Sequence, residues 1–182
     1  MKRKIFIGID LPGEVKKRLM QKIDKWKDLP IKWSREENLH LTLSFLGHVD
    51  DELIYSICDS IKEAVANMEM FDVVLNKIEL GPTQDEDARV VWFTGEASKA
   101  LKLLAENIEK ELEIFRDSKK IFRPHITLGR IQKYNWQKLE KKPNISENFS
   151  VLLPIESVQV FESAIIDGKR KFSVIDNCEL LI

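Results

Sequence analysis

Two stretches of the chain share one pattern: NLHLTLSF at residues 38–45 and, 85 positions later, RPHITLGR at residues 123–130. Each contains a histidine, an aliphatic residue, a threonine and a leucine in that order. The chain has only 3 histidines, so finding a threonine two positions after two of them has roughly one chance in several hundred. A repeat of this kind indicates function rather than coincidence.

Both motifs predict β-strands, in which successive side chains point to opposite faces of a sheet. In the first motif, His40 and Thr42 share one face, and Leu41 and Leu43 share the other. The aliphatic face is expected to pack in the hydrophobic core. The face with histidine and threonine predicts a surface that lines a binding site. The second motif alternates in the same way.

Two further candidate substrate-binding residues, Phe45 and Arg130, each lie five positions after the histidine of their motif. Strict alternation puts Phe45 and Arg130 on the core-facing side of their strands. Arg130 therefore needs a bend near Gly129 to reach the site, and alternation favours core packing over base stacking for Phe45.

The remaining apolar periodicities predict an α+β fold with largely antiparallel pairing. Predicted strands lie at residues 5–9, 31–33, 39–46, 71–80, 90–93, 124–130, 151–153, 157–166 and 171–181. Predicted helices lie at residues 15–26, 50–65 and 96–115, with a short helical turn near 136–141 and a loop at 81–87. A strand and a helix precede each motif, which indicates a duplicated unit with approximate two-fold symmetry. We expect residues 1–182 to form one bilobal domain.

Composition limits the classes of protein. The chain is 43% hydrophobic and 32% charged, as in folded soluble proteins, and its formal net charge is -1. No stretch approaches the roughly 20 apolar residues that span a membrane, so we expect a cytoplasmic protein without a membrane contact. Cys58 and Cys178 have no metal-type spacing, and free thiols are expected.

A pair of histidines can supply one neutral base and one cationic acid near neutral pH. A threonine hydroxyl beside each can donate a hydrogen bond to an anionic oxygen. Two such units facing each other would bracket a phosphate and suit in-line phosphoryl transfer. Imidazolium and hydroxyl groups meet the charge, so the chemistry requires no metal ion and no cofactor.

The motifs resemble the two HxTx signatures of the 2H phosphoesterase superfamily, and more closely those of the RNA 2′,3′-cyclic phosphodiesterases, historically called 2′-5′ RNA ligases. Other residues that fit the family pattern are Phe6, Ile7, Gly8, Ile9, Asp10, Trp33, Phe45, Leu46, Gly47, Trp92, Phe122, Arg123, Pro124, Arg130, Ser163, Gly168 and Phe172. His48 departs from it, because relatives commonly carry an acidic residue there. The resemblance covers essentially the whole chain.

The resemblance implies two mainly antiparallel sheets with outer helices and a central groove that carries both motifs. It implies hydrolysis of RNA 2′,3′-cyclic phosphate ends to 2′-phosphates without a metal, and reversible 2′-5′ ligation. His40 would be the proton donor and His125 the proton acceptor, while Thr42 and Thr127 hold phosphate oxygens. The partner would be RNA with a cyclic phosphate end, tRNA-like fragments among the candidates, and the protein would act as a monomer.

Charge gives separate support for an RNA partner. Residues 116–142 hold nine lysines and arginines against two acids, although the whole chain is slightly acidic. A basic segment around one motif fits an RNA backbone, and a solvated lysine-rich loop is the alternative interpretation.

Two other functions remain open at this point. His40, His48 and His125 could form a zinc site of a zinc-dependent phosphoesterase. Alternatively, the groove could grip phosphates as a non-catalytic RNA-binding module, although the stacked aromatic residues of such modules are not evident.

Overall fold

The computed structural model describes residues 1–83, 87–115 and 122–182. The strands are β1 Lys2–Asp10, β2 Ile31–Trp33, β3 His40–Asp50, β4 Phe71–Gly81, β5 Val90–Thr94, β6 His125–Ile131, β7 Ser146–Ile155, β8 Ser157–Ile166 and β9 Lys169–Glu179. The helices are α1 Gly13–Ile23, α2 Ile54–Val65, α3 Lys99–Leu112 and α4 Lys133–Gln137. Short 3-10 turns lie at Asp24–Trp26, Glu36–Asn38, Asp51–Leu53 and Glu113–Phe115.

The longer helices form where the sequence places apolar residues on one face. In α1, Val15, Leu19 and Ile23 recur every fourth residue and are buried. Helix α3 also has a capped N-terminus, because the Ser98 hydroxyl accepts a hydrogen bond of 3.1 Å from the backbone N–H of Leu101. Periodicity and capping therefore predict these helices well.

The short helix α4 lies earlier than the predicted turn near residues 136–141. The buried side chain of Trp136 anchors it, and it ends at Gln137. After that point, the Lys142 ammonium donates hydrogen bonds to three carbonyls, those of Trp136, Gln137 and Leu139. These contacts hold the following residues in an irregular turn, which no local pattern could reveal.

All strands of the sheet pair antiparallel, in the order β7-β4-β5-β6-β3-β1-β8-β9, with β2 added along β6. On one side of the centre, β3, β1, β8 and β9 form lobe one, and on the other side β6, β5, β4 and β7 form lobe two. The lobes are joined where Leu41 of β3 pairs with Ile126 of β6. The predicted α+β fold with antiparallel pairing is thus confirmed, and the two predicted sheets are the two halves of one continuous sheet, joined at this residue pair.

The core lies on one face of both lobes. Leu41, Leu43, Ile126 and Leu128 are buried there in one continuous cluster of apolar side chains. Helix α2 packs against α3 and against β8 and β9, and α3 also contacts β3. The helices therefore cover the aliphatic face of the motifs, and the face with histidine and threonine lies on the other side.

Two predictions from composition can be compared with the structure. Cys58 and Cys178 are both buried free thiols, as expected, and burial raises the pKa of Cys178 to about 11. Within residues 1–83, 87–115 and 122–182, no helix has the length and apolar character that crossing a membrane requires. The predicted loop at 81–87 and the basic segment at 116–142 lie partly outside the described residues.

Candidate active site

The two motifs lie side by side where the lobes meet. Leu41 and Ile126 face each other across the junction, and both are fully buried. The residues on either side of Leu41 and Ile126 point to the other face of the sheet, away from the core. They are His40, Thr42, His125 and Thr127, and all four are half-buried. Because the strands are antiparallel, each histidine lies across from the threonine of the other motif. The pattern of alternation predicted from the sequence is confirmed for these four residues.

Both imidazole rings are held by the same backbone contact. The Nδ1 atom of His40 lies 2.7 Å from the carbonyl oxygen of Asn38, and Nδ1 of His125 lies 2.7 Å from that of Arg123. A carbonyl oxygen can only accept a hydrogen bond, so each Nδ1 carries a proton. The proton that can come and go is therefore the one on Nε2. In His40, this Nε2 lies 2.8 Å from the Thr42 hydroxyl.

The surroundings of His40 affect its pKa in opposite directions. Burial lowers the pKa, and the hydrogen bond to the Asn38 carbonyl and the charge of Asp10 raise it. A charge on His125 or on Lys16 lowers it again, which means that the two histidines are within electrostatic reach of each other. The net effect is a pKa below the ordinary value for histidine.

The pKa of His125 is also below its ordinary value, chiefly because the ring is buried. Its hydrogen bond to the Arg123 carbonyl raises the pKa, and the positive charge of Arg130 lowers it. On β5, the other neighbour of β6, Thr94 lies opposite His125; it is neutral and donates its hydroxyl to the Pro124 carbonyl at 2.8 Å. On β1, the other neighbour of β3, Asp10 lies opposite His40. The two histidines thus have matching backbone contacts and different charged neighbours.

A β-bulge at the leucine of each motif changes the direction of the side chains that come after it. In β3 the pairing with β1 skips Leu43, and in β6 the pairing with β5 skips Leu128. The extra residue returns Phe45 and Arg130 to the face of the histidines, and both side chains are exposed. Strict alternation was therefore wrong for these two residues: Phe45 is 43% exposed and does not belong to the core.

Aromatic rings surround His40 on lobe one. The Phe6 ring lies 4.7 Å from the imidazole and stacks on Phe161, and Phe172 meets the imidazole edge-on at 5.1 Å. Phe45 extends this cluster, with its ring 5.7 Å from that of Phe6. His40 therefore packs against an aromatic cluster, and the cluster ends in the exposed ring of Phe45.

Lobe two is more polar around His125. The indole of Trp92 lies 4.9 Å from the imidazole and packs over Gly81, where an added Cβ would overlap it. On the next strand, Lys77 and Glu79 form an ion pair of 2.7 Å. Together with Arg130, these groups give this face of lobe two a charged character, whereas the same face of lobe one is aromatic.

His48 is far from the other two histidines. It lies on β3 opposite Lys4, eight residues along the strand from His40, which corresponds to about 26 Å. A zinc site requires all its ligands within about 2.3 Å of one ion. The structure therefore contradicts a zinc site built from His40, His48 and His125.

Sequence reasoning gave Asp10 and Phe172 no role in the site, although both fit the family pattern. Asp10 ends β1 and lies opposite His40, where Lys16 holds its carboxylate at 2.6 Å. Phe172 comes from β9, at the far end of the chain. Both contacts depend on long-range strand pairing, and the chain carries no local signal for them.

Comparisons with known proteins agree with this fold. Residues 9–92 match the family model described as LigT-like phosphoesterase. An RNA 2′,3′-cyclic phosphodiesterase of Thermotoga maritima is 29% identical over 96% of this chain and 94% of its own. One of Methanocaldococcus jannaschii is 26% identical over 71% of this chain and 72% of its own.

Solved structures share the whole architecture. A protein of Thermus thermophilus superposes with a TM-score of 0.82 at 24% identity and covers 97% of both chains. E. coli LigT in apo form superposes with a TM-score of 0.77 at 23% identity, covering 100% of this chain and 99% of its own. The fold is therefore that of these two-lobed solved structures. Within the chain, residues 9–92 are thus similar to the LigT-like phosphoesterase family, and the relatives named RNA 2′,3′-cyclic phosphodiesterase extend this similarity over most of the chain.

Proposed function

We propose that this protein hydrolyses 2′,3′-cyclic phosphate ends of RNA to 2′-phosphates, with His40 and His125 as acid and base and without a metal ion. The curated relatives carry the name RNA 2′,3′-cyclic phosphodiesterase. The observation that carries the proposal is the matched pair of imidazoles at the lobe junction. Each has a protonated Nδ1 bound to a carbonyl and an Nε2 available for proton transfer.

In the proposed reaction, Nε2 of His125 takes a proton from a water molecule. The water oxygen attacks phosphorus, and the bond from phosphorus to the 3′ oxygen breaks. Nε2 of His40 gives its proton to the departing 3′ oxygen, which leaves a 3′-hydroxyl and a 2′-phosphate. The same steps with the 5′-hydroxyl of a second RNA strand in place of water would form a 2′-5′ linkage, and their reverse would cleave it back to the cyclic phosphate and the 5′-hydroxyl.

The charged neighbours support this division of roles. Asp10 faces His40 and favours its protonated, acidic form, whereas Arg130 shares the face of His125 and favours its neutral, basic form. Lys16 weakens the influence of Asp10 through their ion pair. The site thus combines symmetric imidazole contacts with an asymmetric charge distribution that matches one acid and one base.

Thr42 and Thr127 are proposed to donate hydrogen bonds to the phosphate oxygens. Both hydroxyls lie on strands next to a histidine, on the same face of the sheet. Thr42 contacts Nε2 of His40 at 2.8 Å, so its hydroxyl turns to the phosphate when substrate replaces that contact. Two donors from opposite lobes would hold the phosphate between the imidazoles.

Substrate contacts follow from the leaving group. The 3′ oxygen belongs to the terminal nucleoside, so the nucleoside lies on the side of the acid, His40. That side carries the aromatic cluster, and Phe45 offers an exposed ring on which a base can stack. Arg130, on the side of the attacking water, is proposed to bind a phosphate oxygen.

An RNA end, including those of tRNA-like fragments, is the proposed partner. Action in the cytoplasm and a monomeric state remain predictions from the sequence. The reaction can be tested by incubating the protein with 2′,3′-cyclic AMP in the presence of a chelator and identifying the product. The proposal expects the 2′-monophosphate at an undiminished rate. A 3′-monophosphate, or loss of activity with the chelator that zinc restores, would contradict it, and RNA binding without any turnover would favour a binding module.

A further inference from the structure

The groove-side face of the hairpin formed by β8 and β9 carries exposed apolar residues. Residues opposite each other on antiparallel strands share a face, which groups Phe161 with Val174 and Ile165 with Arg170. Val174 is 52% exposed and Ile165 is 70% exposed. Both lie on the face that continues from the aromatic cluster around His40. Exposed apolar groups of this kind mark a binding surface when they adjoin a site.

The hairpin is connected to the catalytic histidine. Its Phe172 ring meets His40 edge-on, and the side-chain amide of Asn38 donates a 3.0 Å hydrogen bond to the carbonyl of Arg170. The carbonyl of Asn38 in turn accepts the hydrogen bond from Nδ1 of His40. A molecule bound at His40 could therefore extend along this hairpin without leaving the surface of lobe one.

The end of the hairpin is basic. Lys169, Arg170 and Lys171 are consecutive and exposed, with Asp167 as the acid in the turn. Across the described part of the chain, none of the three cations takes part in an ion pair. Arg170 is on the same face of the hairpin as Phe172, and the two residues are about 7 Å apart along the strand. One nucleotide of an extended strand spans such a distance. Lys171 is on the other face, together with Ala164.

We propose that this face binds the RNA strand immediately upstream of the cyclic phosphate, with Phe172, Val174 and Ile165 against bases and Arg170 on a backbone phosphate. The inference rests on the proposed function, because it uses His40 as the neighbour of the terminal nucleoside. It adds that the preferred substrate is a strand of two or more nucleotides. Apolar and aromatic contacts accept every base, so the surface recognises single-stranded RNA without sequence preference.

The test compares kcat/KM on 2′,3′-cyclic AMP with kcat/KM on a short RNA ending in a cyclic phosphate. Arg170→Glu is expected to lower the value for the RNA by about threefold to tenfold and to leave the mononucleotide value unchanged. The salt dependence of RNA binding should also weaken by about 0.7 in the slope of log affinity against log salt. Lys171→Glu, the neighbour on the other face, is the matched control and should change both values far less.

The apolar contacts have their own pair of variants. Val174→Ser should weaken RNA binding, and Leu152→Ser, an equally exposed change on β7, should not. Equal effects of Arg170→Glu and Lys171→Glu, or equal kcat/KM for the two substrates, would overturn the inference. If neither substrate is turned over, the proposed function fails, and fluorescence anisotropy of the same RNA with these variants still decides whether the hairpin binds it.

Discussion

Leu41 and Ile126 face each other across the lobe junction, and each directly follows a histidine of the motifs. Both side chains are completely buried in the shared core. The strands are antiparallel, so this single pair sets the distance and direction between His40 and His125. The core contact on one face of the sheet therefore determines the geometry of the groove on the other.

Shortening either junction side chain should destabilise the protein and disturb catalysis together. Leu41→Ala leaves a cavity in the core, where Leu41 is fully buried and the surrounding structure relaxes only partly, so we expect a loss of about 2–5 kcal/mol in the free energy of unfolding. Urea denaturation measures this loss. Leu152→Ala, on an exposed position of β7, should cost far less. A junction variant as stable as the control would show that the lobes do not depend on this contact.

Asp10 and Lys16 should shift the pKa of His40 in opposite directions. Removing the negative charge in Asp10→Asn disfavours imidazolium, so the pKa falls and the acid form is lost at lower pH. Removing the positive charge in Lys16→Gln has the reverse effect. In the pH profile, the alkaline limb, where His40 loses its proton, should move down for Asp10→Asn and up for Lys16→Gln.

Proton NMR of the 3 histidines tests the same shifts without relying on activity. The His48 signal is the internal control, because His48 lies far along β3. Because the two groove histidines influence each other, their titrations are best followed by assigned signals rather than from the rate profile alone. Shifts of the same sign in both variants would refute an electrostatic role for Asp10.

Arg130→Ala should weaken substrate binding and raise the pKa of His125. Loss of the nearby positive charge raises the pKa of His125, so the neutral base forms only at higher pH, and the acid limb of the profile moves up. Loss of the proposed phosphate contact should raise KM. Arg130→Lys should restore the effect of the charge on His125 better than it restores a bidentate contact with phosphate. An unchanged acid limb would mean that Arg130 does not act on His125.

The strands and the motif faces could be predicted from the sequence because they depend on local alternation. The position of Phe45 could not, since a bulge at Leu43 arises from pairing with β1 and leaves no mark in the chain itself. The same holds for Arg130 and the bulge at Leu128. Two matching deviations in the two lobes therefore decided which side chains reach the groove.

The electrostatic difference between the histidines was also beyond sequence reasoning. It depends on Asp10 lying opposite His40 and Thr94 lying opposite His125. These pairings follow from the order of the strands in the sheet, which the sequence of a single chain does not reveal. The motifs alone are nearly symmetric and do not distinguish acid from base. The proposed roles of His40 and His125 thus come from family resemblance, and the placement of Asp10 and Arg130 supports the same proposal.

The most direct test of catalysis by the histidine pair replaces each histidine by alanine and measures kcat/KM on 2′,3′-cyclic AMP. Circular dichroism first confirms that each variant is folded. The value of kcat/KM should then fall by about 10²–10⁴-fold in His40→Ala and in His125→Ala. His48→Ala, the matched control, should keep the activity of the unaltered protein. Full activity in a folded His40 or His125 variant would contradict acid–base catalysis by this pair.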